Sequence, residues 1–140
     1  MYYLRTESSF DAAHFLWKYE GKCRNLHGHR WRVVAEIKSP DLKQEEQTRG
    51  MVLDFGDLKN DLRLLCDLFD HSLIYETGSL REETLLAFRK EMFHLEEVSF
   101  RPTAENFAAY FYTKLSDLGY EVHRVEVYET PNNCAAYEGK

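Results

Sequence analysis

The most constraining stretch of this sequence is a histidine pair at the start of an alternating segment. His27 and His29 lie two residues apart and lead into a run in which apolar and polar side chains alternate. Such alternation predicts a β-strand that is buried on one face. Residues i and i+2 of a strand point to the same face, about 6.5 to 7 Å apart, so both imidazoles can reach one cation. The apolar residues that share their parity are Trp31, Val33, Ala35 and Ile37.

A third histidine falls into the same pattern on an earlier segment. His14 alternates with Phe10 and Ala12 at the end of an extended run, and a loop at 15–26 leads back to the histidine pair. A hairpin closed by this loop places three imidazoles at one end of one sheet face. Three nitrogen donors with no fourth protein ligand are typical of a catalytic zinc site. Cys23, within the loop, could be a fourth ligand or a reactive group beside the metal; the alternative to a metal site is a pair of surface histidines.

The composition describes one soluble domain, residues 1–140, with 44% hydrophobic and 30% charged residues. No apolar run is long enough for a membrane helix, and Arg5 and Glu7 near the amino terminus are unlike a signal peptide. Three cysteines, an odd number, predict free thiols in the reducing cytoplasm. The formal charge of −6 disfavours a nucleic-acid partner, although a few local arginines can still bind an anionic substrate.

Periodicity along the chain predicts strands near both ends and helices between them. Alternation predicts strands over residues 2–14, 26–39 and 121–129. Asp54 is placed to cap a helix whose apolar stripe extends to Phe69. A second, amphipathic helical pattern lies within 78–101. A third helix is predicted to begin after Thr103 and to end at Gly119.

Further polar residues lie at the ends of predicted elements. Asp70 and His71 follow the first predicted helix, where a histidine could simply complement the helix dipole. Glu129 shares the parity of Val125 and Val127 in the last strand. Since a covered carboxylate needs a partner, Glu129 is either exposed at the strand end or binds paired donors.

Six short motifs follow one another over residues 10–130. They are Phe10-Asp11-Ala12-Ala13-His14, Cys23-x3-His27-Gly28-His29, Met51-Val52-x-Asp54-Phe55-x-x-Leu58-Lys59, Asp70-His71, Pro102-Thr103-x-Glu105-Asn106 and Val125-x-Val127-x-Glu129-Thr130. In this order they resemble the 6-pyruvoyltetrahydropterin synthase family. The three-residue spacer between Cys23 and His27 is similar to that of the carboxy-forming bacterial branch, whereas pyruvoyl-forming enzymes carry a longer one.

The resemblance implies an α+β tunnelling fold: a four-stranded antiparallel sheet with helices packed on one face. Family members join into rings whose sheets form a barrel, which implies a homohexamer of two stacked trimers with active sites at subunit interfaces. The polar face of the second strand would then line the tunnel. Its residues are Arg30, Arg32, Glu36 and Lys38.

The resemblance also assigns roles to residues. It implies that His14, His27 and His29 bind zinc and that Cys23 is the proton acceptor. Asp70 and His71 would form its proton relay. Glu129 would bind two adjacent N–H groups of the pterin ring and would also belong to the relay. Further substrate contacts are expected from Thr103, Thr130, Arg24 and Arg30.

The substrate class implied is a pterin triphosphate, 7,8-dihydroneopterin triphosphate. The carboxy-forming branch converts it to 6-carboxytetrahydropterin in queuosine biosynthesis, with loss of acetaldehyde and triphosphate. The alternatives are pyruvoyl synthesis, another pterin side-chain reaction of the same fold, and a silent zinc-binding scaffold.

Two features depart from the family pattern. The segment between His71 and Pro102 is longer than expected, and its amphipathic part could cover the site or enlarge an interface. Arg30 follows His29 where a smaller polar residue is expected, and it could serve the triphosphate. Lys22, Arg24 and Arg32 are rivals that the sequence does not rank.

Overall fold

A mixed sheet of six strands forms the centre of the protein, and the computed structural model describes residues 1–140. The strands are β1 (Tyr2–His14), β2 (His27–Ser39), β3 (Ser72–Glu76), β4 (Leu95–Val98), β5 (Val122–Thr130) and β6 (Asn133–Tyr137). The helices are α1 (Phe55–Asp67), α2 (Glu82–Lys90) and α3 (Ala104–Asp117), and a 3₁₀ turn spans Lys22–Arg24. The spatial order of the strands is β4-β3-β1-β2-β5-β6.

The sheet confirms the α+β class but corrects the four-stranded, antiparallel expectation. β3 pairs in parallel with β1 and β4, whereas β1, β2, β5 and β6 pair antiparallel. The strands predicted at 2–14, 26–39 and 121–129 are confirmed to within one residue. The three strands that were not predicted have four or five residues each, too few for a clear alternation.

The β1–β2 hairpin sets the position of the histidines. Its register pairs His14 with His27 and Ala12 with His29. Because paired residues of antiparallel strands point to the same face, all three histidines lie on one side at one end of the sheet. Trp31 and Phe10 are paired on the same face and are fully buried beneath them.

α1 and α3 cover this face of the sheet. α1 begins after Asp54, whose side chain accepts a hydrogen bond from the Gly56 amide at 2.7 Å. α3 begins after Thr103, and Gly119, with φ of 98°, follows its end, as predicted. The residues of the two helices that are fully buried in the core are Leu58, Leu62, Cys66, Phe107, Ala108, Phe111 and Leu115.

The segment at 78–101 contains a short helix and a strand rather than one long helix. α2 ends at Lys90, Met92 has a left-handed φ of 62°, and β4 begins at Leu95. Parallel neighbours such as β3 and β4 need a crossover connection, which α2 supplies. The helical spacing of apolar residues continues to Leu95, but the helix itself ends at Lys90. Phe88 of α2 lines a cavity of about 250 Å³ that also includes His71.

The other face of the central strands is polar, as the alternation of β2 predicts. Arg32 pairs with Glu7 at 2.9 Å, and Arg5 pairs with Glu126 at 2.8 Å. No helix has both the length and the apolar character needed to cross a membrane.

Candidate metal centre and active site

The three histidines form a compact group of nitrogen donors. Their ligand atoms lie within 4.8 Å of one another. The His14 side chain is only 1% exposed, and its Nε2 lies 3.2 Å from Nε2 of His27. Cys23 does not belong to this group, which consists of His14, His27 and His29.

Backbone carbonyls fix the tautomers of two of these rings. Nδ1 of His14 donates to the Pro102 carbonyl at 2.8 Å, and Nδ1 of His27 donates to the Asn25 carbonyl at 2.7 Å. A carbonyl can only accept, so each Nδ1 carries a proton, and in the neutral form of the ring each Nε2 presents a lone pair. The two lone pairs face each other at 3.2 Å, an arrangement that a shared cation stabilises.

Burial favours the neutral, metal-binding form of two of these rings. It lowers the pKa of His14 from 6.5 to about 4, an effect that the hydrogen bond to Pro102 partly offsets. Burial also lowers the pKa of His29, whose Nε2 is buried and has no hydrogen-bond partner. Neutral imidazoles are the ligating form, so the three residues fit a divalent metal such as zinc.

Glu129 lies directly beside the donor group. Its Oε1 is 3.3 Å from Nε2 of His14 and 3.7 Å from Nε2 of His29. A carboxylate so close to unprotonated nitrogens adds to the negative potential and so favours a cation there. Glu129 also lines a cavity of about 390 Å³ together with His29, Arg30 and Thr130. The side chain is thus neither simply solvated nor paired with an arginine.

Asp70 and His71 form a hydrogen-bonded dyad on the other side of β1. Asp70 Oδ2 accepts from His71 Nδ1 at 2.8 Å, while Oδ1 accepts from the Asp11 amide at 2.8 Å. The Asp11 carbonyl in turn accepts from the His71 amide at 2.6 Å. The hydrogen bond from Asp11 lowers the pKa of Asp70, and the Asp70 carboxylate raises the pKa of His71.

Cys23 makes no hydrogen bond to this dyad within one chain. It sits in the 3₁₀ turn, partly exposed, and its thiol makes no hydrogen bond. Its backbone carbonyl accepts from the Leu16 amide at 2.9 Å, which fixes the turn against the end of β1. The structure therefore brings the three histidines and Glu129 together, but forms no hydrogen bond between the thiol and the Asp70–His71 dyad.

The remaining predicted substrate contacts fall in different places. Thr130 and Arg30 line the cavity of Glu129. Thr103 caps α3, because its side chain accepts a hydrogen bond from the Asn106 amide at 3.2 Å. It follows Pro102 directly in the chain. Arg24 belongs to the 3₁₀ turn and lines neither cavity beside the histidines. For Thr103 and Arg24, substrate binding stays a prediction.

Sequence reasoning missed three supports of the site. The Pro102 and Asn25 carbonyls carry no side-chain signal, since any residue supplies a carbonyl. Asp11 could have been found: a hairpin that pairs His14 with His27 necessarily places Asp11 opposite Arg30.

Comparison with known proteins agrees with the geometry. The profile of the family described as 6-pyruvoyl tetrahydropterin synthase matches residues 3–140. The chain belongs to this family. The relationship covers the hairpin that carries the three histidines, both core helices and β5, so the sequence resemblance is confirmed over nearly the whole chain.

Among curated members of the 6-pyruvoyl tetrahydropterin synthase family, two relatives carry the name 6-carboxy-5,6,7,8-tetrahydropterin synthase. The Haemophilus influenzae protein is 34% identical and is covered over 99% of both chains. The Synechocystis protein is 37% identical, over 98% of this chain and 93% of its own.

Solved structures show the same architecture. An uncharacterized protein from Wolinella succinogenes superposes with a TM-score of 0.83 at 26% identity, covering 99% of this chain and 98% of its own. The Plasmodium vivax 6-pyruvoyl tetrahydropterin synthase gives a TM-score of 0.72 at 20% identity, with the same coverage. At that identity the second likeness concerns the fold alone.

Proposed function

We propose that this chain is a zinc-dependent 6-carboxy-5,6,7,8-tetrahydropterin synthase. It converts 7,8-dihydroneopterin triphosphate and water to 6-carboxytetrahydropterin, acetaldehyde and triphosphate, as a step of queuosine biosynthesis. The observation that carries the proposal is the set of three imidazoles whose ligand atoms lie within 4.8 Å of one another, in a chain whose similarly sized relatives bear that name. The free thiols of all three cysteines are consistent with work in the cytoplasm.

His14, His27 and His29 would hold the metal through Nε2. A bound zinc ion would supply Lewis-acid polarisation of the substrate side chain, which makes neighbouring carbon protons easier to remove. The carbonyls of Pro102 and Asn25 would keep the His14 and His27 rings in the ligating tautomer throughout.

Glu129 would bind the pterin end of the substrate. A carboxylate has two oxygens that can accept from two adjacent N–H groups, which is the donor pattern of the pterin ring. Its position 3.3 Å from the His14 nitrogen would bring the ring next to the metal. Thr130, in the same cavity, would be a further contact.

Cys23 would accept the substrate proton, and the Asp70–His71 dyad would relay it. A thiolate is needed for this step, and a nearby cation favours that form. The hydrogen bond from Asp70 holds the His71 ring in one orientation, with Nε2 free for proton transfer.

Neighbouring subunits would complete the site. Since Cys23 makes no hydrogen bond to Asp70 or His71 within one chain, we place the dyad against the thiol of an adjacent subunit in a homohexamer of two stacked trimers. The short helix–strand segment at 78–101, which places Phe88 and Phe93 beside His71, would then line this interface.

The decisive experiment is turnover of 7,8-dihydroneopterin triphosphate by the zinc-loaded protein, with detection of acetaldehyde and of the six-position product. Acetaldehyde together with the carboxy pterin is expected. Triphosphate release with a pyruvoyl product would identify the sister reaction. No turnover by a protein with full zinc content would favour the scaffold.

Cys23→Ala is the matched variant in that assay. It should retain one zinc per chain but lose turnover by a factor of about 100 or more, the usual worth of a positioned base. If the variant instead lost its zinc, Cys23 would be a metal ligand, and its proposed role as proton acceptor would be wrong.

A further inference from the structure

A weak ion pair lies directly behind the metal-binding face. Asp11 and Arg30 are cross-strand partners in the β1–β2 hairpin. Their closest atoms, Asp11 Oδ2 and Arg30 Nη1, are 3.4 Å apart, longer than the 2.7 to 2.9 Å or so of a good charge-assisted hydrogen bond. The Arg30 side chain is 76% exposed. The guanidinium is therefore held in place but remains free to exchange partners.

Arg30 also occupies a distinctive position. Two cavities, of about 430 and 390 Å³, meet at Gly28, His29 and Arg30. One extends toward Glu129, and the other extends past Asp11 toward His71. Arg30 is the only lysine or arginine that lines both, and the residue before it in the chain is the ligand His29.

The neighbouring Arg32 already binds other side chains. Its guanidinium pairs with Glu7 at 2.9 Å and lies 3.9 Å from the centroid of the Tyr128 ring. The Arg32 side chain is 37% exposed, about half the value for Arg30. Arg32 would lose both contacts if it moved to bind a ligand. Lys22 and Arg24 line neither cavity. The structure thus ranks the basic residues that the sequence leaves equal.

We propose that Arg30 binds the triphosphate of the substrate and that Asp11 is its exchangeable counter-ion. This inference rests on the proposed function for the identity of the anion. In the free site, the carboxylate of Asp11 keeps Arg30 where the two cavities meet. An entering triphosphate displaces the carboxylate, because a polyanion forms shorter and more numerous hydrogen bonds with a guanidinium. After the reaction, Asp11 competes with the leaving triphosphate for the same guanidinium and so favours product release.

The two partners therefore have opposite expected effects. Arg30→Gln should weaken the binding of inorganic triphosphate by roughly 10-fold to 100-fold, the usual worth of a charge-assisted hydrogen bond. Asp11→Asn should strengthen it several-fold and make triphosphate a stronger product inhibitor. Because Asp11 holds Asp70 and His71 through its backbone groups, this substitution leaves those hydrogen bonds in place.

The test is calorimetric titration of the full-length, zinc-loaded protein with inorganic triphosphate, with bound metal quantified before and after. Arg5→Gln is the matched control, because it removes one positive charge from the same sheet face and Arg5 pairs with Glu126 instead. Its affinity should equal that of the wild type. Arg30→Lys should fall between wild type and Arg30→Gln, since lysine keeps the charge but not the planar fork.

The double variant Asp11→Asn/Arg30→Gln separates exchange from a general charge effect. If Asp11 acts through Arg30, the gain from Asp11→Asn disappears in the Arg30→Gln background. A gain that persists there, or an Arg30→Gln affinity equal to wild type, overturns the proposal. Turnover without acetaldehyde, combined with Arg30-dependent triphosphate binding, would reject the proposed function but leave this site standing.

Discussion

At His14 and His27, two main-chain carbonyls determine what the imidazoles can do. Each carbonyl accepts a hydrogen bond from an Nδ1–H group, so in the neutral rings each Nε2 is left as an acceptor facing the other. Trp31 closes the apolar side of the pair, with its ring centroid 4.9 Å from that of His14. The direction in which these Nε2 atoms point thus follows from hydrogen bonds made by the opposite ring nitrogens.

Asp70→Asn is expected to lower the pKa of His71 toward 6.5, because the Asp70 carboxylate is the main cause of the raised value. The raised pKa of His71 means that the pair's contribution to stability is present below about pH 6.5 and is lost as pH rises through that pKa. The lowered pKa of Asp70 means that the contribution is also lost in acid, as pH falls through it. Histidine NMR titration measures the shift.

A matched control for this titration is Asp67→Asn. Asp67 pairs with Arg63 at 3.1 Å rather than with His71. The midpoint of His71 should be nearly the same in this variant and in the wild type. An Asp70→Asn protein whose His71 titrates like the wild type would contradict the role given to the dyad.

The histidine site was predictable, whereas its completion by other groups was not. Parity places His27 and His29 on one face, and a hairpin closed by the loop at 15–26 adds His14. By contrast, the position of His71 relative to Cys23 depends on how α1 and β3 connect, and no local pattern encodes that connection.

Among the elements, the amino terminus of α3 links helix stability to the metal centre. Thr103→Ala removes the side-chain acceptor for the Asn106 amide and should lower the free energy of unfolding by about 1 kcal/mol. It should also weaken zinc binding, because the adjacent Pro102 carbonyl orients His14. Urea denaturation and metal titration measure the two effects.

Thr103→Ser keeps the hydroxyl and serves as the control. Its unfolding midpoint should lie close to that of the wild type. If the alanine and serine variants unfold at the same urea concentration, the cap does not stabilise α3.

The elements that were missed share a physical cause. β3 reads Ser72-Leu73-Ile74-Tyr75-Glu76 and is buried on both faces at its centre, so it shows an apolar run instead of alternation. β4 is hidden because Leu95 continues the spacing of α2, although the left-handed Met92 lies between them. Long or well-capped elements, such as β1, β2 and α3, were predictable because period and caps agree.

For the whole molecule, the proposal that subunits share the site predicts complementation. Cys23→Ala and His71→Ala should each be inactive as homo-oligomers. Mixed and refolded together in equal amounts, they should recover roughly one quarter of wild-type turnover, because one site in four would draw both intact residues. Coupled acetaldehyde assays measure the recovery.

Two outcomes bear on this prediction. Native mass spectrometry should show mixed hexamers, which confirms that the subunits have exchanged. Mixed hexamers without recovered turnover would mean that each chain supplies its own thiol and dyad.

Because His14 pairs with His27, binding of a metal ion by the three histidines would also depend on the alignment of β1 with β2. If β1 slipped by one residue against β2, Phe10, Ala12 and His14 would all turn to the opposite face. No ion could then be shared by the three rings. An ion that binds only the correctly aligned hairpin lowers the free energy of that alignment alone. A metal ion bound for catalysis would thus also stabilise the correct alignment of the two strands that bind it.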